Sequence, residues 1–172
     1  MGEIADRALA QDKVLSALLG YWRSKRAGRA MPRRADIEPT EIPQLLPHLQ
    51  LVDRVDGRYR YRLAGTAIVA AYGSELTGRF VDEIIPPPRR AVAEGHYDAV
   101  YQAKRPIFVR NKYTTTRDID IVASRVILPL SEDGTTVSML VMAQTFEYGA
   151  EVRAAIAGDA VLAPYSGVAE FI

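Results

Sequence analysis

Between Ile121 and Phe146 two long aliphatic runs, IVASRVILPL and VSMLVMAQTF, flank the segment SEDGTT. Asp133-Gly134 between such runs is a hairpin signal. In the first arm Val122, Val126, Leu128 and Leu130 alternate with Ile121, Ala123, Arg125, Ile127 and Pro129. In the second, Val137, Met139, Val141 and Ala143 alternate with Leu140, Met142 and Phe146. Successive side chains on a strand point to opposite faces, so both faces of this hairpin are apolar. A sheet with one face in water would alternate apolar with polar residues instead. Something must therefore cover this sheet on each side.

A second hairpin is expected from Leu49–Val55 and Arg58–Leu63, joined by Asp56-Gly57, with Tyr59, Tyr61 and Leu63 alternating with Arg58, Arg60 and Arg62. A further strand is expected over Ile107–Thr115. Helical spacing occupies three stretches. From Ala5 to Ala27, Ala8, Gln11, Leu15, Leu18, Leu19 and Trp22 share a stripe, and Gly28 offers a stop. Thr66 opens a short helix with Ile68, Val69 and Tyr72 on one side and Gly73 at its end. Arg89–Lys104 places Val92, His96, Ala99 and Ala103 on one stripe, with Tyr97, Val100 and Tyr101 beside it. Ser74–Pro88 reads as loop, and the prolines between Asp36 and Leu49 allow only a short turn, with His48 as a local hydrogen-bonding residue. A short helix over Ala150–Ala157 and a peripheral tail complete the reading. The fold class is therefore α+β, a five-stranded antiparallel sheet with inserted helices on one face and an N-terminal amphipathic helix for the other. The divisions are an N-terminal helix and basic linker over 1–35, the sheet domain over 36–146 and a C-terminal tail over 147–172.

Composition narrows the chemistry. The chain is 48% hydrophobic and 25% charged, as in ordinary soluble domains, with a net charge of +1 that gives no reason to expect nucleic acid. It has no cysteine, which excludes disulfides, thiolate metal sites and a cysteinyl flavin adduct. No apolar run reaches the roughly 20 residues of a membrane span, and no signal-peptide pattern opens the chain, so a cytoplasmic location is expected. The segment RSKRAGRAMPRR gathers Arg23, Lys25, Arg26, Arg29, Arg33 and Arg34 and reads as a solvated linker. Arg29 and Arg33 have the RxxxR spacing of PilZ domains, but the D/N-x-S-x-x-G element that should follow is missing. No G-x-S-x-G elbow, HExxH, Walker loop or dinucleotide glycine set is present, and no enzyme activity is expected.

The blocks LLGYWRSKRAGRAMPRRADIEPTEIPQLLPHLQLVD, YRYRLAGTAIVAAYGSELTGRFVDEI and VILPLSEDG resemble the alphaproteobacterial PAS-like family of the DUF1457 (PAS_5) type, over roughly residues 15–146. The stretch G-T-x(5)-Y-G-x-E-L-T-G from Gly65 to Gly78 is also similar to the common PAS helix–loop signature. The resemblance implies a PAS fold and a regulatory role. It implies no established enzyme activity and carries no universal ligand motif.

Two functional readings follow. In the first, the chain acts by protein–protein interaction or dimerisation, with output through a signalling partner in trans. The interface candidates are Leu15, Leu18, Leu19 and Trp22 of the N-terminal stripe, packed on their own sheet or on a second chain, and Val126, Leu128, Leu140 and Met142 of the outer sheet face. In the second, a small molecule binds between the inner sheet face and the inserted helices. That volume would be lined by Tyr61, Leu63, Ile68, Tyr72, His96, Tyr97, Val100, Arg125, Ile127, Met139 and Val141. A buried Arg125 would require a partner, with Asp82, Glu83 or a bound anion as the candidates. His96 lies where some PAS sensors hold haem, but a lone histidine with no propionate partners makes haem the weaker expectation. No cofactor is assigned.

Overall fold

The structure is a computed structural model, and it describes residues 3–114, 120–148 and 166–172. At its centre is an antiparallel sheet of strands β1 (Leu49–Val55), β2 (Arg58–Ala64), β3 (Ile107–Thr114), β4 (Asp120–Leu130), β5 (Met139–Tyr148) and β6 (Ser166–Phe171). Their spatial order is β2-β1-β5-β4-β3-β6, so the sheet has six strands where five were expected. The sixth lies in the stretch read as tail: β6 runs antiparallel to β3, from Ile107 opposite Phe171 to Lys112 opposite Ser166. The expected helix over Ala150–Ala157 and the strand end at Thr115 fall outside the described residues.

Both faces of the sheet are covered, as the double-sided pattern requires. The outer face carries α1 (Glu3–Gln11) and α2 (Lys13–Lys25), and the inner face carries α3 (Thr66–Tyr72), α4 (Val81–Ile84) and α5 (Pro87–Ala103). The N-terminal stretch is two helices rather than one because Asp12 turns its side chain back on the backbone. Asp12 Oδ1 accepts from the Val14 and Leu15 N–H groups at 3.0 Å each, capping α2, while Oδ2 accepts from Thr145 Oγ1 of β5 at 2.6 Å. An aspartate at this position satisfies donors that a new helix leaves open. Between Ser74 and Pro88 the chain forms the short helix α4, where loop was expected.

The connections follow local backbone chemistry. Asp56 and Gly57 both have positive φ, 51° and 80°, the two-residue turn that matches strand twist. Asp133 instead organises a longer connection over residues 131–138. Its carboxylate accepts from the Thr136 hydroxyl, from the Thr136 and Thr135 N–H groups and from Ser131 Oγ, which holds it well below the usual carboxylate range. Gly65 is needed for close approach: a Cβ there would lie 2.1 Å from the Leu46 carbonyl oxygen. The basic segment is tied down rather than loose. Arg29 pairs with Asp36 at 2.6 Å, Met31 is buried, and the Ser131 N–H donates to the Pro32 carbonyl.

Strand phase separates the outer and inner apolar layers. The outer layer joins Leu15, Leu18, Leu19 and Trp22 to Leu49, Leu51, Phe108, Val126, Leu128, Leu130, Val141 and Ala143, with Leu63 and Met139 at its margin. The inner layer joins Ile68, Tyr97 and Val100 to Val52, Tyr61, Val109, Ile127, Leu140 and Met142. The expected phase of β4 is found, but that of β5 is reversed. Leu128 faces Val141 and Ile127 faces Met142, and residues directly opposite one another share a face. Val141 and Met139 therefore belong to the outer layer, and Leu140 and Met142 to the inner one. Leu63 also changes side. The pairing steps from Leu51–Leu63 to Val52–Tyr61, leaving Arg62 as an extra residue, and such a bulge turns over the strand beyond it.

Candidate functional site

The inner layer is apolar except at one end, where four polar side chains lie buried on neighbouring strands: Gln50 of β1, Gln144 of β5, Arg125 of β4 and Asn111 of β3. Arg125 stands directly opposite Gln144 on one side and Val109 on the other, which fixes its guanidinium on the inner face. Gln50 Nε2 donates to Gln144 Oε1 at 2.9 Å, joining the two amides into a row across the sheet. Arg89 and Ala93, one helical turn apart on α5, and Tyr72 at the end of α3 close over this row. The cavity there is about 30 Å³, with Arg89, Arg125, Asn111, Gln144 and Tyr72 as its polar lining residues. That is room for one or two water molecules. Asn111 Oδ1, at its edge, has no hydrogen-bond partner among the described residues.

Arg125 is 6% exposed and approaches α5 closely. Its Nη2 donates to His96 Nδ1 at 3.0 Å, and its guanidinium lies 5.6 Å from the Tyr97 ring centre. A guanidinium only donates, so His96 Nδ1 accepts and the ring proton sits on Nε2. Burial, with the Arg125 charge beside it, lowers the His96 pKa to about 4. Tyr61 and Tyr97 are fully buried next to this pair, and burial pushes both phenols up. Their hydroxyls are near enough to influence each other, yet neither makes a well-formed hydrogen bond within the described residues.

Of the expected pocket residues, the fold thus brings Tyr61, Ile68, Tyr72, His96, Tyr97, Val100, Arg125 and Ile127 to the inner side of the sheet. Leu63, Met139 and Val141 lie on the outer side for the reasons of register given above. Asp82 and Glu83, considered for Arg125, pair with Arg58: Nε and Nη2 reach the two Asp82 oxygens at 2.8 and 2.6 Å. Asn111, Gln144, Gln50 and Arg89 were not anticipated. The signal for three of them was there, a polar residue at an inward-phase position of an otherwise apolar strand. His48 makes its contact across the sheet, with Nδ1 3.2 Å from the Gln144 carbonyl oxygen.

The interface candidates are used within the chain. Leu15, Leu18, Leu19 and Trp22 are 0–5% exposed, and Trp22 Nε1 donates to the Pro129 carbonyl oxygen at 2.8 Å. Val126 and Leu128 lie beneath them, whereas Leu140 and Met142 line the inner layer. Among the described residues no three His, Asp or Glu side chains stand together as a metal site, and no helix is long and apolar enough to cross a membrane.

A PAS domain family (PAS_5) matches residues 11–143, from the end of α1 to β5. The chain belongs to the PAS family. The inserted helices α3–α5 on one face of an antiparallel sheet agree with that membership, and a PAS domain points to a signalling or sensory role. No curated protein matches the chain. The match ends before β6, so the strand added at the β3 edge lies outside the PAS region.

Proposed function

We propose that this PAS domain senses a small molecule held between the inner sheet face and α3–α5, and passes the result to a partner protein. The observation that carries the reading is the buried polar row Gln50, Gln144, Arg125 and Asn111 beneath a small cavity, in a layer that is otherwise apolar. Burying such groups costs stability unless they are satisfied, and a guanidinium is the most costly of them. A packed structural core would place aliphatic side chains there. A ligand entering past Tyr72 and Arg89 would separate α5 from β4, and its effect is set by its affinity difference between the two packings. We favour this reading over docking through the N-terminal stripe because those side chains are buried against β4 and β5 of the same chain. Native mass spectrometry of the purified protein, with thermal shift across a metabolite panel, tests the proposal. A retained small mass or a reproducible rise in melting temperature is the expected result. An empty protein that no compound stabilises would remove it.

A further inference from the structure

The polar end of the inner cavity has a definite chemical character. Its lining residues include two arginines, Arg89 and Arg125, two amide residues, Asn111 and Gln144, and Tyr72. We infer that this cavity receives the carboxylate head of a small organic acid, and that its arrival is coupled to protonation of His96. The inference rests on the sensory reading above and names the ligand class and its regulation.

Three observations lead to it. Guanidinium groups are permanently charged and present five donors in a fork that matches a carboxylate, so one can be added to contacts they already make. In a water-poor layer that attraction is stronger than at the surface. Tyr72 and Arg89 on the cavity lining are only half-buried, which leaves a way out for the rest of the molecule.

The decisive contact is Arg125 Nη2 to His96 Nδ1, 3.0 Å. Here a buried cation donates to a neutral base. Proton uptake at Nδ1 would end the hydrogen bond and set two cations against each other. A carboxylate seated on Arg125 reverses this: it takes the Arg125 donors, frees His96 Nδ1, and accepts from the protonated imidazole. Each event then favours the other, and linkage makes the effect reciprocal. The titratable groups facing this pair are Tyr61 from β2, Tyr72 from α3, and Arg89 and Tyr97 from α5 itself; β3 and β5 contribute the neutral Asn111 and Gln144. Tyr61 and Tyr97 stay neutral near pH 7, because burial raises both.

Sodium acetate is the minimal probe, with sodium chloride at equal ionic strength as the spherical-anion control. Calorimetry should show acetate binding several-fold tighter at pH 5.8 than at pH 7.5, which requires binding to raise the His96 midpoint from about 4 to between those two pH values. Proton NMR of the His96 ring should show its titration midpoint rising on saturation with acetate. Arg125→Gln should abolish binding, and His96→Gln should keep binding while losing its pH dependence. Should Arg125→Gln fail to fold, Arg89→Gln at the mouth is expected to weaken acetate several-fold, and the His96 midpoint is read in the unaltered protein. Equal acetate affinity at both pH values, a motionless His96 midpoint or an equal response to chloride overturns the inference. If acetate does not bind but an uncharged compound is retained or stabilises the protein, this inference fails and the sensory reading stands. If nothing binds, both fail.

Discussion

His96 is held neutral by burial and by the Arg125 charge beside it, and that has a thermodynamic consequence separate from any ligand. Its pKa is about 4 in the folded protein and about 6.5 in an unfolded chain. Between those values the unfolded state carries the extra proton, so stability rises with pH through this window. The contribution is fully present above about pH 6.5 and is lost as pH falls toward 4. With part of the ring in solvent we expect about 1–2 kcal/mol, less than the full pKa difference would imply. Urea unfolding at pH 7 and pH 4.5 should therefore show a smaller loss for His96→Gln than for the unaltered protein. An identical loss in both would mean that the folded protein does not hold the ring neutral. At this scale the sequence was only partly legible. A lone arginine between Ser124 and Val126 stood out, but its partner did not, because nothing in the order of residues says that β4 and α5 meet at Arg125 and His96.

Helix α2 shows how an element acquires its place. Its stripe was readable from spacing, and so was a need to cover the outer face, but not the break at Asp12 or the identity of the covered strands. Asp12 could be taken for one more polar residue on a long helix until Thr145 is found beside it. The phase of β5 was lost for a related reason. The connection over 131–138 is organised by Asp133 and is not a two-residue turn, so the register of its arms does not follow from the Asp-Gly pair. Because Trp22 packs on its own sheet, we expect Trp22→Ala to cost about 3–5 kcal/mol through the cavity it leaves. Trp22→Phe should cost roughly 1–2 kcal/mol, mainly the hydrogen bond to Pro129. Denaturant midpoints check both. A Trp22→Ala protein of unchanged stability would contradict the packing described.

Across the whole molecule, the two ends of the described chain meet at the β3 edge. The Ala5 N–H donates to Glu170 Oε2 at 3.0 Å, and the Ile172 N–H donates to the Pro106 carbonyl at 3.0 Å beyond the last β6 pairing. Strand β6 thereby covers the open side of β3, an edge that would otherwise present unpaired backbone groups. Its sequence, SGVAEF, is short and follows an alanine-rich stretch, so it carried little strand signal of its own. Gly167 lies close against β3, where a Cβ would meet Asn111 Oδ1 at 2.0 Å and the Arg110 carbonyl oxygen at 2.9 Å. Gly167→Val should peel β6 away and raise hydrogen exchange at the β3 amides that face it, leaving α2 and β5 protected. Unchanged β3 exchange would show that β6 contributes nothing to that edge.

Trp22 is the only tryptophan, and it is sealed between α2 and β4, on the side of the sheet opposite the cavity. Intrinsic emission excited at the red edge therefore views the outer helical layer alone. Filling the space beside Arg125 would leave that light unaltered unless the sheet itself shifts, which turns the native fluorophore into a reporter of transmission from one layer to the other.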